Sequence, residues 1–371
     1  MDVLKEFHEI SDNPYRYATG LKDQGKKIIG FFCSYTPEEI IYAAGLHPMR
    51  LFGTKDNISI ADKHLQSYSC SLIRDALADV LAGNLDFLDG TVFPHTCDSI
   101  QRLSDIWRLN TDLGFFTDVV LPVKLNTQSA REYMIDVLGR FAQDLENYFG
   151  KRISDESMKS AITKYNTIRR YLSEIYELHA KDPSILSGSD LFTVIKASMI
   201  MHRDDLIDRL PVLLTERQNK ERTAGGNGKR IMLVGNICDH PDIYTMIEKS
   251  GGDVVWDDLC TGTRYFQGMI EESDDPLAAV ANRYFDRPVC PAKHVSVTAR
   301  GEYIVEKAKK YDADGVVFLY LKFCDPHSFD YPYLKEFLDN SDIPNMLLEV
   351  EDQLPPEGQL LTRFETFIHM L

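Results

Sequence analysis

The feature that most constrains this chain is an alternation of short apolar runs with helix-period segments, which occurs twice and is interrupted by a long stretch of helix alone. In the first stretch, residues 27–32, 49–52, 90–93 and 118–123 read as strands. Helical periodicity covers 36–44, 71–81 and 99–109 between them, after an opening helix over 3–24. In the second stretch, strands fit 230–234, 253–256, 315–321 and 345–350, and helices fit 242–249, 302–311, 331–338 and 359–370. Apolar runs this short, bounded by turn residues, are strands covered on both faces, and their alternation with helices calls for a parallel sheet. Residues 130–217 carry helical spacing only, with 155–178 the longest segment.

At 371 residues the chain can bury two cores. The expected fold is α/β: two doubly wound, flavodoxin-like parallel-sheet domains joined by a helical layer. Boundaries fall at 1–128 for the first domain, 129–218 for the helical segment, 219–229 for a linker and 230–371 for the second domain. The linker contains Ala224-Gly225-Gly226-Asn227-Gly228. It is no phosphate loop, because Thr223 stands where the first glycine of that motif is needed and the glycines precede a strand rather than follow one. Local capping chemistry is clearest at 36–45. There Thr36 suits a helix N-cap, Pro37 the first helical position, Glu39 the return arm of a capping box, and Gly45 the stop.

Charge and cysteine usage exclude several function classes. A formal charge of -16 repels phosphate backbones, and no basic stripe with interleaved aromatics is present, so nucleic acid is not an expected partner. The longest apolar runs are far too short to span a bilayer. The first residues are charged and lack the pattern of a secretory signal, so a cytoplasmic location is expected. Seven cysteines in a chain of this kind read as thiols, metal ligands or redox groups rather than a disulfide framework.

The positions of those cysteines carry the chemistry. Cys97 and Cys324 each follow a strand and open a helix, and Cys70 opens a helix in the same way. Open α/β sheets bind ligands outside the carboxyl ends of their strands, where helix N-termini present unpaired amides that favour thiolates and anionic iron–sulfur cores. Three thiolates would leave one iron with an exchangeable position. Residue types alone leave alternatives open. Cys33 and Cys238 end the first strands of the two halves, and any of the seven thiols can be a small core side chain. His95, Cys97, Cys324 and His327 also offer a Cys2His2 zinc set.

The segment Ile28–Gly45, with Cys70-Ser71-Leu72-Ile73-Arg74, Thr96-Cys97-Asp98 and Lys322-Phe323-Cys324-Asp325-Pro326-His327, resembles the 2-hydroxyacyl-CoA dehydratase and benzoyl-CoA reductase subunits. The likeness runs almost the whole chain, through Asp257-Asp258-Leu259-Cys260 and Arg264-Tyr265-Phe266 to the closing Thr362–Phe367. It implies a cytoplasmic enzyme subunit with a [4Fe-4S] cluster on Cys70, Cys97 and Cys324. The implied partners are a homologous cluster-bearing subunit, an ATP-hydrolysing iron–sulfur activator and an acyl-CoA substrate. One electron delivered to the thioester carbonyl would form a ketyl radical.

Within that resemblance, the 257–266 stretch and Cys290-Pro291-Ala292-Lys293-His294 look closest to the benzoyl-CoA reductase branch. Ring reduction is therefore the first expectation, with 2-hydroxyacyl-CoA dehydration and a purely electron-relaying subunit as alternatives. Cys33 and Ser34 are expected on the substrate face, and Lys293, His294 and Arg300 within reach of coenzyme A phosphates, against the plainer reading of a solvated face. Cys260 and Cys290 are expected as core or loop residues.

Overall fold

Every strand described in this chain lies in one of two four-stranded parallel sheets with the same order, so the second half repeats the topology of the first. The computed structural model describes residues 2–54, 58–220, 228–287, 290–293, 295–351 and 353–371. Strands β1 (Ile28–Phe31), β2 (His47–Arg50), β3 (Gly90–Pro94) and β4 (Phe115–Val119) assemble in the order β2-β1-β3-β4. Strands β5 (Lys229–Gly235), β6 (Gly252–Asp258), β7 (Gly315–Leu321) and β8 (Asn345–Val350) assemble as β6-β5-β7-β8. This is the order expected of a flavodoxin-like doubly wound sheet, with its switch point between the first and third strands.

Burial explains the apolar runs. β1, β3 and β7 are buried at every residue because helices cover both faces, whereas the edge strand β4 buries fully only Phe115 and Val119. The helices Ser71–Leu81 and Asp98–Asn110 cross back within the first half, and Pro241–Lys249, Val297–Lys310, Asp325–Asp339 and Glu357–His369 within the second. The opening segment is two helices, Val3–Asp12 and Pro14–Asp23, because Pro14 cannot continue the first and starts the second. Helix Asp325–Asp339 begins six residues before the sequence-based start and runs through Pro332, with Pro326 in its first turn.

The helical layer holds the two halves together. Asp155–Lys181 packs on helix Glu38–Ala43 of the first half and on β6 and Thr263–Phe266 of the second, while Gln128–Phe149 packs on β4 and on Pro276–Asp286. Three of its helices start at side-chain caps: Thr127, Ser154 and Ser187 accept from the amides of Ala130, Ser157 and Asp190. Residues 221–227 of the expected linker lie outside the described residues.

The capping box at 36–39 does not form. Pro37 is the N-cap of Glu38–Ala43, no side chain caps the helix, and the Glu39 carboxylate instead pairs with Arg169 of the helical layer. Glu38 does the same with Arg203 at 2.6 Å. A buried arginine needs a carboxylate more than a helix end needs one, since an unpaired interior charge costs several kcal/mol and a missing cap only ~1 kcal/mol.

Gly235 closes β5 where it faces Leu319 of β7, and a Cβ added there would overlap the Leu319 carbonyl oxygen and stand 2.8 Å from its carbon. Gly235→Ala is expected to lower unfolding stability by roughly 1–3 kcal/mol through overpacking, read as a lower urea midpoint. An unchanged midpoint would show that the sheet opens at this point without strain.

Candidate metal centre

Three helices of this protein begin at a cysteine. Cys70 is the N-cap of Ser71–Leu81, Cys97 of Asp98–Asn110 and Cys324 of Asp325–Asp339, and none of the three makes a side-chain capping bond. Helix N-caps are ordinarily Ser, Thr, Asp or Asn, whose oxygens satisfy the first free amides. Thiols in that position leave the amides and the positive end of the helix dipole available to an anion at sulfur.

All three cysteines line one cavity of about 90 Å³. It lies where the carboxyl ends of the two sheets face one another. Phe32 and Cys33 follow β1, Thr96 and Cys97 follow β3, Asn236 and Ile237 follow β5, Cys260 follows β6, and Leu321 and Cys324 end β7. Both sheets thus contribute their switch points to the same crevice. Leu72, Ile73, Ile100, Ile237 and Leu321 make much of the wall apolar, and no Asp or Glu lines it among the described residues.

Burial pushes the Cys70 thiol well above the usual range, with Cys324 and Cys97 adding to the shift. Burial likewise raises Cys97 to about 12 and raises Cys324. The amides of Ile73, Ile100 and His327, each at the third position of its helix, work in the opposite direction, as does the side chain of Asn236 at Cys324. Burial thus favours the protonated form of all three thiols. Metal binding here is therefore coupled to proton release.

Asn236 and Arg50 are polar lining residues that sequence reasoning missed. The Asn236 Oδ1 accepts from the Leu321 amide at 3.0 Å, and its buried Nδ2 has no oxygen partner and faces the Cys324 side. Such a donor suits a sulfur-rich anion.

Among the described residues, no three His, Cys, Asp or Glu side chains converge closely enough to hold a single metal ion. A lone zinc would need four ligand atoms within about 2.0–2.3 Å of one point, whereas thiolates on different irons of a core stand farther apart. The Cys2His2 alternative also fails at His95, whose Nε2 lies 2.8 Å from Asp118 and which is not part of the cavity wall. Cys238 is buried elsewhere, its thiol directed at the His240 carbonyl at 3.6 Å. No disulfide joins any of the seven cysteines.

Other expected site residues are placed differently. Cys33 lines the cavity, whereas Ser34 is not part of its wall: its Oγ accepts from Nη1 of Arg50, which does line it, at 2.8 Å. Lys293 and Arg300 do not reach toward coenzyme A phosphates. Lys293 is fully buried and donates to the carbonyls of Leu121 at 2.7 Å and His95 at 3.2 Å, and burial pulls its ammonium down to about 8. Arg300 is fully buried between Asp258 at 3.2 Å and Asp330 at 3.4 Å. Both charges are consumed inside the protein. His294 lies outside the described residues. Cys260 and Cys290, expected as core or loop residues, both stand in the cavity wall.

Known proteins are similar to this chain in sequence. The family described as 2-hydroxyglutaryl-CoA dehydratase, D-component, matches residues 33–371. The chain is 29% identical over 369 residues to the (R)-phenyllactyl-CoA dehydratase beta subunit of Clostridium sporogenes, covering 99% of this chain and 98% of that one. It is 27% identical to the beta subunit of the (R)-2-hydroxyglutaryl-CoA dehydratase of Acidaminococcus fermentans, over 100% and 99% of the two chains. Identity to a benzoyl-CoA reductase subunit of Thauera aromatica is 26%, over 87% and 85%. With that family matching from just after β1 to the last residue, the chain belongs to the 2-hydroxyglutaryl-CoA dehydratase D-component family.

Proposed function

We propose that this chain is the iron–sulfur subunit of a 2-hydroxyacyl-CoA dehydratase, with a [4Fe-4S] core on Cys70, Cys97 and Cys324. The convergence of three N-cap thiols in one largely apolar cavity, with no carboxylate in its wall among the described residues, is the observation that carries the reading. Dehydration replaces the benzoyl-CoA reductase type expected from local motifs. Two dehydratase subunits match this chain over its full length, while the reductase subunit matches over 87% of it.

A core bound there would supply single electrons at low potential to the thioester carbonyl of a 2-hydroxyacyl-CoA, making loss of the 2-hydroxyl feasible. The chain's own part is to hold and shield. Cys70, Cys97 and Cys324 provide the thiolates, the three helix N-termini stabilise their negative charge, and the apolar wall keeps water away. Reduction is harder in a dry, anionic site, which is the direction a strong one-electron donor requires. We assign it a homologous cluster-bearing subunit and an ATP-hydrolysing iron–sulfur activator as partners, in the reducing cytoplasm where unpaired thiols persist. Among the described residues, no helix is long and apolar enough to cross a membrane.

One observation favours a second reading, in which the subunit passes electrons to a partner that binds substrate. The cavity, at about 90 Å³, is smaller than the few hundred Å³ usual for a small-molecule site. Feeding the activated complex (R)-2-hydroxyacyl-CoA and benzoyl-CoA separately tests the main reading. Water loss from the hydroxy substrate is expected, and turnover of benzoyl-CoA alone would overturn it. An acyl-CoA that cross-links to the partner subunit and never to this chain would establish the relay.

A further inference from the structure

Six of the seven cysteines of this chain line a single cavity, and three of them are not used by the site described above. We propose that Cys33, Cys260 and Cys290 form a second ligand triad and hold a second iron–sulfur unit beside the first in the same cavity.

The three come from separate elements. Cys33 lies two residues past β1, Cys260 two residues past β6, and Cys290 on a short antiparallel bridge to Lys293 in which the Cys290 and Lys293 amides donate to each other's carbonyls at 3.2 and 3.0 Å. They are contiguous with one another and with the first set: Cys290 lies within electrostatic range of Cys260 and Cys33, Cys97 of Cys33, and Cys324 of Cys260. Thiols used only to fill a core are scattered through it, as Cys238 is. Here six gather around one void, with no disulfide among them.

Charge around the second triad fits the same occupant. Arg264 Nη1 approaches Cys260 Sγ at 3.5 Å, Arg50 Nη1 donates to the Cys260 carbonyl at 3.0 Å, and the buried Lys293 stands behind Cys33 and Cys290. Additional thiolates in a dry crevice need such cations. The first triad has helix amides instead, so each set carries its own compensation. Among the described residues no three of these side chains come close enough for a single ion, whereas thiolates on different metal atoms of one core stand farther apart.

The proposal rests on the iron–sulfur reading of the first triad, and one measurement separates them: iron and acid-labile sulfide per chain after anaerobic purification and reconstitution of the full-length protein. The expected result is about eight irons per chain, falling to about four in Cys260→Ser and in Cys290→Ser. Circular dichroism and the unfolding midpoint of each variant show that the chain still folds. About four irons, unchanged by either substitution but lost in Cys70→Ser, would overturn the second unit and leave the first. About eight irons retained in both variants would overturn the assignment to these residues. An iron-free chain after reconstitution would overturn both readings.

Discussion

Cys97→Ser is expected to lower turnover of the assembled complex at least ~100-fold, since even outer partners of a metal site are worth 10–100-fold and Cys97 is the proposed direct ligand. Iron bound by the Cys70, Cys97 and Cys324 set should be lost with it. The same substitution has an opposite effect on the iron-free chain. Serine is a far better N-cap than cysteine, and helix Asp98–Asn110 has no side-chain cap in the native protein. The iron-free variant should therefore be as stable as the iron-free parent, or more stable by roughly 0.5–1 kcal/mol. Iron analysis, turnover and urea unfolding together check this. A variant that keeps both its iron and its activity would reduce Cys97 to a packing residue and remove the basis of the proposed function.

Asp258→Ala is expected to destabilise the protein by ~3–5 kcal/mol. Arg264 grips the Asp258 carboxylate with two bonds, Nε at 2.7 Å and Nη2 at 2.6 Å, and Arg300 adds a third contact at 3.2 Å. All three side chains are at most 2% exposed. Burial by itself would raise the Asp258 carboxyl, but Arg264 and Arg300 outweigh it and hold the group below its usual value. Removing the carboxylate leaves Arg264 with no acidic partner among the described residues and takes an ion pair from Arg300. The cost is that of an uncompensated buried charge, not the modest worth of a surface ion pair. Asp258→Asn should lose less, because it keeps an acceptor for Arg264. Urea unfolding of both variants checks the order, and a loss under ~1 kcal/mol for the alanine variant would mean that water reaches these arginines.

The two expectations concern neighbouring parts of one crevice. Arg264 touches both Asp258 and the sulfur of Cys260, so the ion-pair network that anchors β6 also positions a cavity wall. Arg287 extends it by donating to the carbonyls of Ser34, at 2.7 Å, and Arg264. Stability and the site share the same buried cations.

How far the amino-acid order determined this protein depends on the range of the interaction. β7, β8 and the helix Ser71–Leu81 fall where apolar runs and helical spacing put them, because burial pattern and propensity act over a few neighbours. The strand-end, helix-start positions of Cys97 and Cys324 were legible for the same reason. Partner choice was not. Glu39 left a local capping role for Arg169, 130 positions away; Arg300 turned inward to Asp258 and Asp330; and Lys293 took carbonyls of the first half. Nor could spacing along the chain show that Cys33, Cys260 and Cys290 share a cavity with Cys70, Cys97 and Cys324. Local periodicity is written in adjacent residues, whereas a buried charge or thiol takes whichever partner the docked sheets bring to it. Only the tertiary structure supplies that meeting, because it alone removes the water that would otherwise satisfy those groups.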